Sequence, residues 1–513
     1  MSNQSQSLHR DFVRITLALV FALLSSACIH ERGPDKTLAA KIDPILHQLD
    51  DTGAIVSARI VDPTSGRELY ATKPDEPVMP ASNMKLQTAS AGLDRLGPDH
   101  VFKTYLAMDG DDLWLVGTGD PACGDSRLEQ KYGRKTMSML DDWSEALKAR
   151  GISQIKGKLY FYDGAFDSQT ISPNWSKGYL TDYYAAPVSG LNFNTNCIDV
   201  VAVATEPGQP AKLEVTPPTA GNTIVNQCTS ARPNERETVD IKRDPDSNVF
   251  TITGKVQKRK ELSSKPVIDP GAFFADALRT NLESHGITIA GPTERSRQPL
   301  GGSADPPKEK IIATHETKMA DVLNRICKNS NNLFADALCK YQGRAMELSR
   351  GKDVPGSWAN GGESVHAFLQ KNKIDDSQFV IVDGSGLARA NRVTTRLISD
   401  ELVVMHRHRY HDAFFTALPI GGKDGTIAKR MPDLQGHVFA KTGFIGGVRS
   451  LSGYVKTKDG KWLVFSIIFN KLPGSVAPAE DVQDNVCRVL VEYPKMENAQ
   501  IKPIRPATTQ SSE

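Results

Sequence analysis

Three Ser-x-x-Lys strings, starting at Ser82, Ser153 and Ser349, are the places where this sequence could activate a hydroxyl for attack. Context separates them. Ser153 lies in a strand-like Ile/Lys/Gly stretch, and Ser349 closes a helical pattern before Gly351. Ser82 alone opens an apolar helix and follows Pro80. An i, i+3 spacing puts Ser82 and Lys85 on one helical face, a turn apart. A lysine buried there, near the positive end of the helix, favours the neutral amine, which takes up a serine proton. The helix start also offers free backbone N–H groups to a developing oxyanion.

Two further strings complete the requirement. Ser330-Asn331-Asn332 lies within a helical pattern, and Lys441-Thr442-Gly443 is the one K-T-G of the chain, on an expected strand. S-x-N alone is weak, since Ser172-Pro173-Asn174 also matches, but the ordered trio on helix, helix and strand is far more specific. No G-x-S-x-G elbow and no H-E-x-x-H pair is present. His406, His408 and His411 do not share one helical face and are interleaved with Arg407 and Arg409, so they read as a solvated helix end and no metal is expected.

The elements that must position these residues follow from periodicity. Residues 37–50 place Leu38, Ile42, Ile45, Leu46 and Leu49 on one helical face. Strands are expected at 54–61 and 67–72, and a helix from Ser82 to a stop at Gly97-Pro98. From 105 to 305 short β-like runs alternate with Gly, Pro and Asn turns, and helical patterns return at 316–349. Three strands are expected at 437–443, 448–457 and 461–470, with an Asp459-Gly460 hairpin turn, then a helix over 479–494. The tail from 497 is polar and expected to be disordered. The economical arrangement is one α+β domain made of 28–104 and 306–496, interrupted by a β-rich insertion of one or two small domains over 105–305.

The ordered trio resembles the penicillin-binding protein and serine β-lactamase superfamily, and the long stretch from Ser82 to Ser330 resembles its class C penicillin-binding proteins, D-alanyl-D-alanine carboxypeptidase/endopeptidases with inserted domains at this place. Further strings look like that family: YLTDYYAAPVSGLNFNTNCIDV (179–200), SNNLFADAL (330–338), DGSGLARANRVT (383–394) and GGKDGTIAKRM (421–431). The resemblance runs from about residue 37 to 495 and implies an antiparallel sheet flanked by helices. It implies Ser82 as the acylated nucleophile, Lys85 as its base and Ser330 as a relay toward the leaving amine. Asn332 would bond the substrate amide, Lys441 support the network, and Thr442 hold the terminal carboxylate. Backbone N–H groups of Ser82 and Phe444 would form the oxyanion hole, and Gly443 completes the substrate-binding K-T-G string between Thr442 and Phe444. Phe444 departs from the family, which has Thr or Ser there, so carboxylate binding rests more on Thr442. Asp182 resembles an acid that meets the free amine of a peptidoglycan side chain; a cap or loop role suits it equally. The loop Asp383-Gly384-Ser385-Gly386 reads as structural. Peptidoglycan stem peptides and β-lactams are the expected partners, and the chemistry needs no metal or organic cofactor. A β-lactamase and a non-catalytic peptidoglycan-binding protein are the rival readings.

Composition agrees with such a chain. Its 513 residues carry 62 Lys plus Arg against 60 Asp plus Glu, a formal charge of +2, which argues against a nucleic-acid binder. No run of eighteen apolar residues exists, which excludes a polytopic membrane protein. His9, Arg10 and Arg14, the apolar run Ile15–Leu24 and small residues to Ala27 describe a secretory leader over 1–27, hence a periplasmic location. Cys28 then allows an outer-membrane lipid anchor, while ordinary cleavage after Ala27 also fits. Six cysteines remain, and pairing Cys197 with Cys228 is one option. Cys327 and Cys339, expected on one helix about 18 Å apart, should not pair.

Overall fold

A computed structural model describes residues 33–303 and 305–505 of the chain. The expected leader and Cys28 lie outside the described residues. Helix α1 (Lys36–Leu46) starts at Asp35, whose carboxylate accepts from the Thr37 and Leu38 N–H groups. The antiparallel pair β1 (Ile55–Val61) and β2 (Glu68–Thr72) follows. A single 3₁₀ turn, Ala81–Asn83, then runs directly into α2 (Met84–Leu96). Beyond β3 (Val101–Asp109) lies the intervening region, which returns through β4 (Ile311–Lys318) into α3 (Met319–Cys327) and α4 (Asn332–Ser349). The chain ends with α5 (Thr395–Arg407), β5 (Val438–Ile445), β6 (Val448–Lys456), β7 (Trp462–Asn470) and α6 (Ala477–Glu492).

Strands from both ends of the chain build one antiparallel sheet in the order β5-β6-β7-β1-β2. The seam is β1 against β7, in register from Ile55 opposite Asn470 to Val61 opposite Val464. Alternate side chains of β7 enter opposite layers. Leu463, Phe465, Ile467 and Phe469 pack with α1 and α6, while Val464 and Ile468 pack with the core around α2, α4 and α5. A strand covered on both faces has no need of polar alternation, which is why LVFSIIF is apolar at every position but Ser466.

The intervening region has its own core, around Leu140, Phe161, Phe250 and Phe274. Its entry and exit strands pair with each other, Val101 opposite Lys318, in a five-stranded sheet. Antiparallel pairing thus holds the two crossings into and out of the region side by side. The region is not independent of the other core: Ala165, Phe166, Trp175, Ala185 and Val188 are buried in the cluster that contains α2 and α4.

Several expectations are corrected. The helical pattern 316–349 is one strand end and two helices, broken at 328–331, where Ser330 takes a positive φ of 55°. Cys327 and Cys339 thus lie on different helices. All six cysteines from Cys123 to Cys487 are buried and unpaired, Cys197 and Cys228 included. The stretch after 497 is fastened as far as 505: Asn485 and Lys502 exchange side chain–backbone hydrogen bonds, and Arg505 pairs with Asp481. The three histidines are half-buried rather than solvated, His406 among the Tyr454 and Trp462 rings and His408 Nε2 at 3.2 Å from Asp94.

Candidate active site

The turn Ala81–Asn83 delivers Ser82 at the head of α2, with Ala81 held at a φ of 48°. Positive φ at a residue with a Cβ costs of order 1–3 kcal/mol and persists only where the surroundings over-determine it. Here they do. Asn83 donates to the Lys441 carbonyl at 2.8 Å and accepts from Ser452 Oγ at 2.7 Å, tying the turn to β5 and β6. Gly443 lies flat against the same turn, and a Cβ there would sit 2.9 Å from the Ser82 nitrogen and 2.1 Å from Ser450 Oγ. The glycine of K-T-G is therefore required by close approach of two backbones.

Lys85 is wholly buried one turn into α2. Its Nζ donates to Ser82 Oγ at 3.0 Å, Asn332 Oδ1 at 2.6 Å and the Ser385 carbonyl at 2.7 Å. Across the pocket, Lys441 Nζ donates to Ser330 Oγ at 2.8 Å and to the Thr442 carbonyl at 2.7 Å. The three strings thus converge: Ser82 meets Lys85, Lys85 meets Asn332, and Ser330 of the same turn meets Lys441. The Ser330 turn is positioned from α3, whose Arg325 carbonyl accepts from Asn331 N at 3.0 Å. Arg325 itself is buried in an ion pair with Asp125 of the intervening region at 2.7 Å.

Burial pulls the Lys85 ammonium down to about 8, opposed by Asp336 and then Asp383. Asp336, also buried, is pushed up to about 7 by burial and by Asp383. Both carboxylates grip the loop that gives Lys85 its third acceptor. Asp336 Oδ1 accepts from Gly384 N at 2.7 Å and Trp358 Nε1 at 2.9 Å. Asp383 accepts from the N–H groups of Gly386 and Ala388 and from Asn391 and Trp175. Burial, then repulsion from Lys85, holds Lys441 well below its ordinary value.

Some expected residues stand differently. The loop Asp383-Gly384-Ser385-Gly386 is structural as read, yet it also touches Lys85 through Ser385. Both ends of the Asn332 amide are engaged, Oδ1 by Lys85 and Nδ2 with the Tyr184 carbonyl at 2.7 Å, so here it orients the Lys85 amine. Asp182 makes no side-chain cap bond; it lies 3.2 Å from Lys265 Nζ and accepts from Tyr184 Oη at 3.0 Å, so a cation already faces it. Phe444 is 54% exposed, with the Arg449 guanidinium 4.8 Å from its ring centre. Sequence reasoning missed Tyr184, Asp336 and Thr426, whose Oγ1 lies 2.8 Å from Thr442 Oγ1. All three stand inside family-like strings, which is the one signal that could have found them. Among the described residues, one group of metal-ligating atoms comes within 4.8 Å: Asp120, Cys123 and His315. Its carboxylate already accepts from Ala122 N and Thr317 Oγ1, and the thiol donates to Thr104, so these groups are satisfied without an ion.

A serine–lysine pair at a helix start, facing an S-x-N turn and a K-T-G strand on an antiparallel sheet, defines a serine DD-peptidase of the penicillin-binding class. The chain belongs to the D-Ala-D-Ala carboxypeptidase 3 (S13) family, whose model matches residues 38–492. It is 31% identical over 481 residues to a D-alanyl-D-alanine carboxypeptidase of an Actinomadura species, covering 89% of this chain and 85% of that one. It is 28% identical over 411 residues to the D-alanyl-D-alanine carboxypeptidase DacB of Haemophilus influenzae, covering 77% and 80%. In fold it is similar to the crystal structure of penicillin binding protein 4 from Haemophilus influenzae, with a TM-score of 0.70 at 23% identity over 89% of this chain and 99% of that one.

Proposed function

We propose that this protein removes the terminal D-alanine from peptidoglycan stem peptides through an acyl-serine intermediate. Ser82 Oγ attacks the carbonyl of the penultimate D-alanine while neutral Lys85 takes its proton. The backbone N–H groups of Ser82 and Phe444 receive the oxyanion. Ser330, bonded to Lys441, passes a proton to the departing D-alanine amine, and water then releases the acyl group from Ser82. Thr442 faces the substrate carboxylate. The observation that carries this reading is the buried Lys85 amine at 3.0 Å from Ser82 Oγ.

β-Lactams acylate the same hydroxyl, their strained amide standing for the D-Ala–D-Ala bond. The same attack serves cross-links that end in a D-alanyl amide, which makes endopeptidase action part of the proposal. Export by residues 1–27, with or without a lipid on Cys28, would bring the enzyme to its polymer. The test compares the native chain with Ser82→Ala on a D-Ala–D-Ala peptide, and records intact mass after penicillin. Equal D-alanine release by both proteins, or no penicillin adduct on the native one, overturns the reading. Sustained turnover of a chromogenic β-lactam would move the assignment to a β-lactamase.

A further inference from the structure

A substrate that ends in a free carboxylate needs donors placed where that carboxylate lies, beyond the scissile bond and along the K-T-G strand. Thr442 offers one hydroxyl. Position 444 offers none, and the Phe444 ring is turned outward onto Arg449. The hydroxyl that stands beside Thr442 is Thr426, 2.8 Å away. It is not on a loose loop. Thr426 sits in the 3₁₀ turn Gly425–Ile427, which Ile427 anchors by complete burial. Asp424, just before it, accepts from Lys328 Nζ at 2.7 Å and from Ile420 N at 2.9 Å. Ile420 in turn bridges to Phe439 on β5. The turn is therefore laid along the strand that carries Thr442, with Lys328 fixing it to the end of α3.

We propose that Thr426 and Thr442 together bind the terminal carboxylate of the substrate, Thr426 supplying the hydroxyl that Phe444 lacks. The pair is suited to this. Each hydroxyl is one rotating donor with two acceptor lone pairs, so the contact between them dissolves when a carboxylate arrives and both protons turn toward it. A hydrogen bond to a charged oxygen is stronger than the hydroxyl–hydroxyl contact it replaces. The proposal rests on the acyl-serine reading and adds the residue that selects a free carboxyl end.

The test is steady-state kinetics of Thr426→Val, Thr426→Ser, Phe444→Thr and the double variant Thr426→Val/Phe444→Thr. The substrates are an acyl-D-Ala-D-Ala peptide and the same peptide ending in a carboxamide. Thr426→Val is expected to raise KM for the acid about tenfold, with kcat within about twofold. Thr426→Ser stays near native, and the carboxamide shows no such dependence. In the Phe444→Thr background the Thr426→Val loss shrinks, because a second hydroxyl is back. Thr426 is exposed, so its variants fold, and Thr426→Ala repeats the loss without the isosteric methyl. An unchanged KM in Thr426→Val, or an equal loss in both backgrounds, overturns the assignment. Absence of a penicillin adduct on native Ser82 would instead sink the acyl-serine reading, and intact mass separates the two failures.

Discussion

The two halves of the pocket each hold a fully buried lysine, and the lysines are supported in opposite ways. Lys85 has three acceptors and two buried carboxylates behind it, Asp336 and Asp383. Lys441 has a serine hydroxyl and a backbone carbonyl, and the group that opposes its burial is the Cys327 thiol, which burial pushes up to about 11 and so leaves neutral. Burial lowers both. Only Lys85 has carboxylates whose field holds it within reach of neutral pH. Both amines touch a serine; what sets Lys85 apart is a pair of carboxylates that oppose its burial and so set the pH at which it turns neutral.

That contrast is breakable in order of effect. Lys85→Met should reduce penicillin acylation of Ser82 about 10³-fold, read as adduct formation by intact mass, since a general base contributes about 10²–10⁴. Lys441→Met should cost less, about a hundredfold in kcat/KM on the peptide, as loss of electrostatic support and of the bond to Ser330. A larger loss at Lys441 than at Lys85 would reverse the assignment of base.

Asp336→Asn should move the pH limb rather than the plateau. Acylation needs the neutral amine, so it rises as pH passes the Lys85 value near 8. The Asp336 carboxylate, ionised above about 7, favours the ammonium; removing its charge shifts the limb to lower pH by about one unit. A limb that stays in place would uncouple the two groups. The smallest effect belongs to Cys327→Ala, expected to leave acylation within about twofold, because a neutral thiol supplies no counter-charge to Lys441. A tenfold fall would mean that the thiol is ionised beside Lys441.

The sheet was legible because its signals are local. The largely apolar run of β7, the Asp459-Gly460 turn and the stop at Gly97-Pro98 each name an element from a few residues. The trio Ser82-x-x-Lys85, Ser330-x-Asn332 and Lys441-Thr442-Gly443 was legible because the chemistry restricts residue type and spacing together. What stayed hidden depends on long-range contact. Asp336 reads as one polar residue of a helix, and nothing in its neighbours tells that its carboxylate reaches Gly384. Asp182 has its partner Lys265 far along the chain, across a strand pairing that periodicity does not encode. The break at 328–331 was hidden because apolar residues keep helical spacing through it, while Ser330 turns left-handed. The tail was misread for a related cause: residues 499–505 hold on by specific bonds to α6 and by two isolated apolar contacts, Ala499 and Ile504, that form no periodic face.

The lone thiols carry a practical consequence. With Cys123, Cys197, Cys228, Cys327, Cys339 and Cys487 all buried and unbridged, no covalent staple among the described residues contributes to the fold. A chain of this size buries enough apolar surface to stand without one. Dithiothreitol should therefore leave the melting temperature where it was, and a polypeptide of residues 28–513 should mature in a reducing cytosol as readily as in an oxidising compartment.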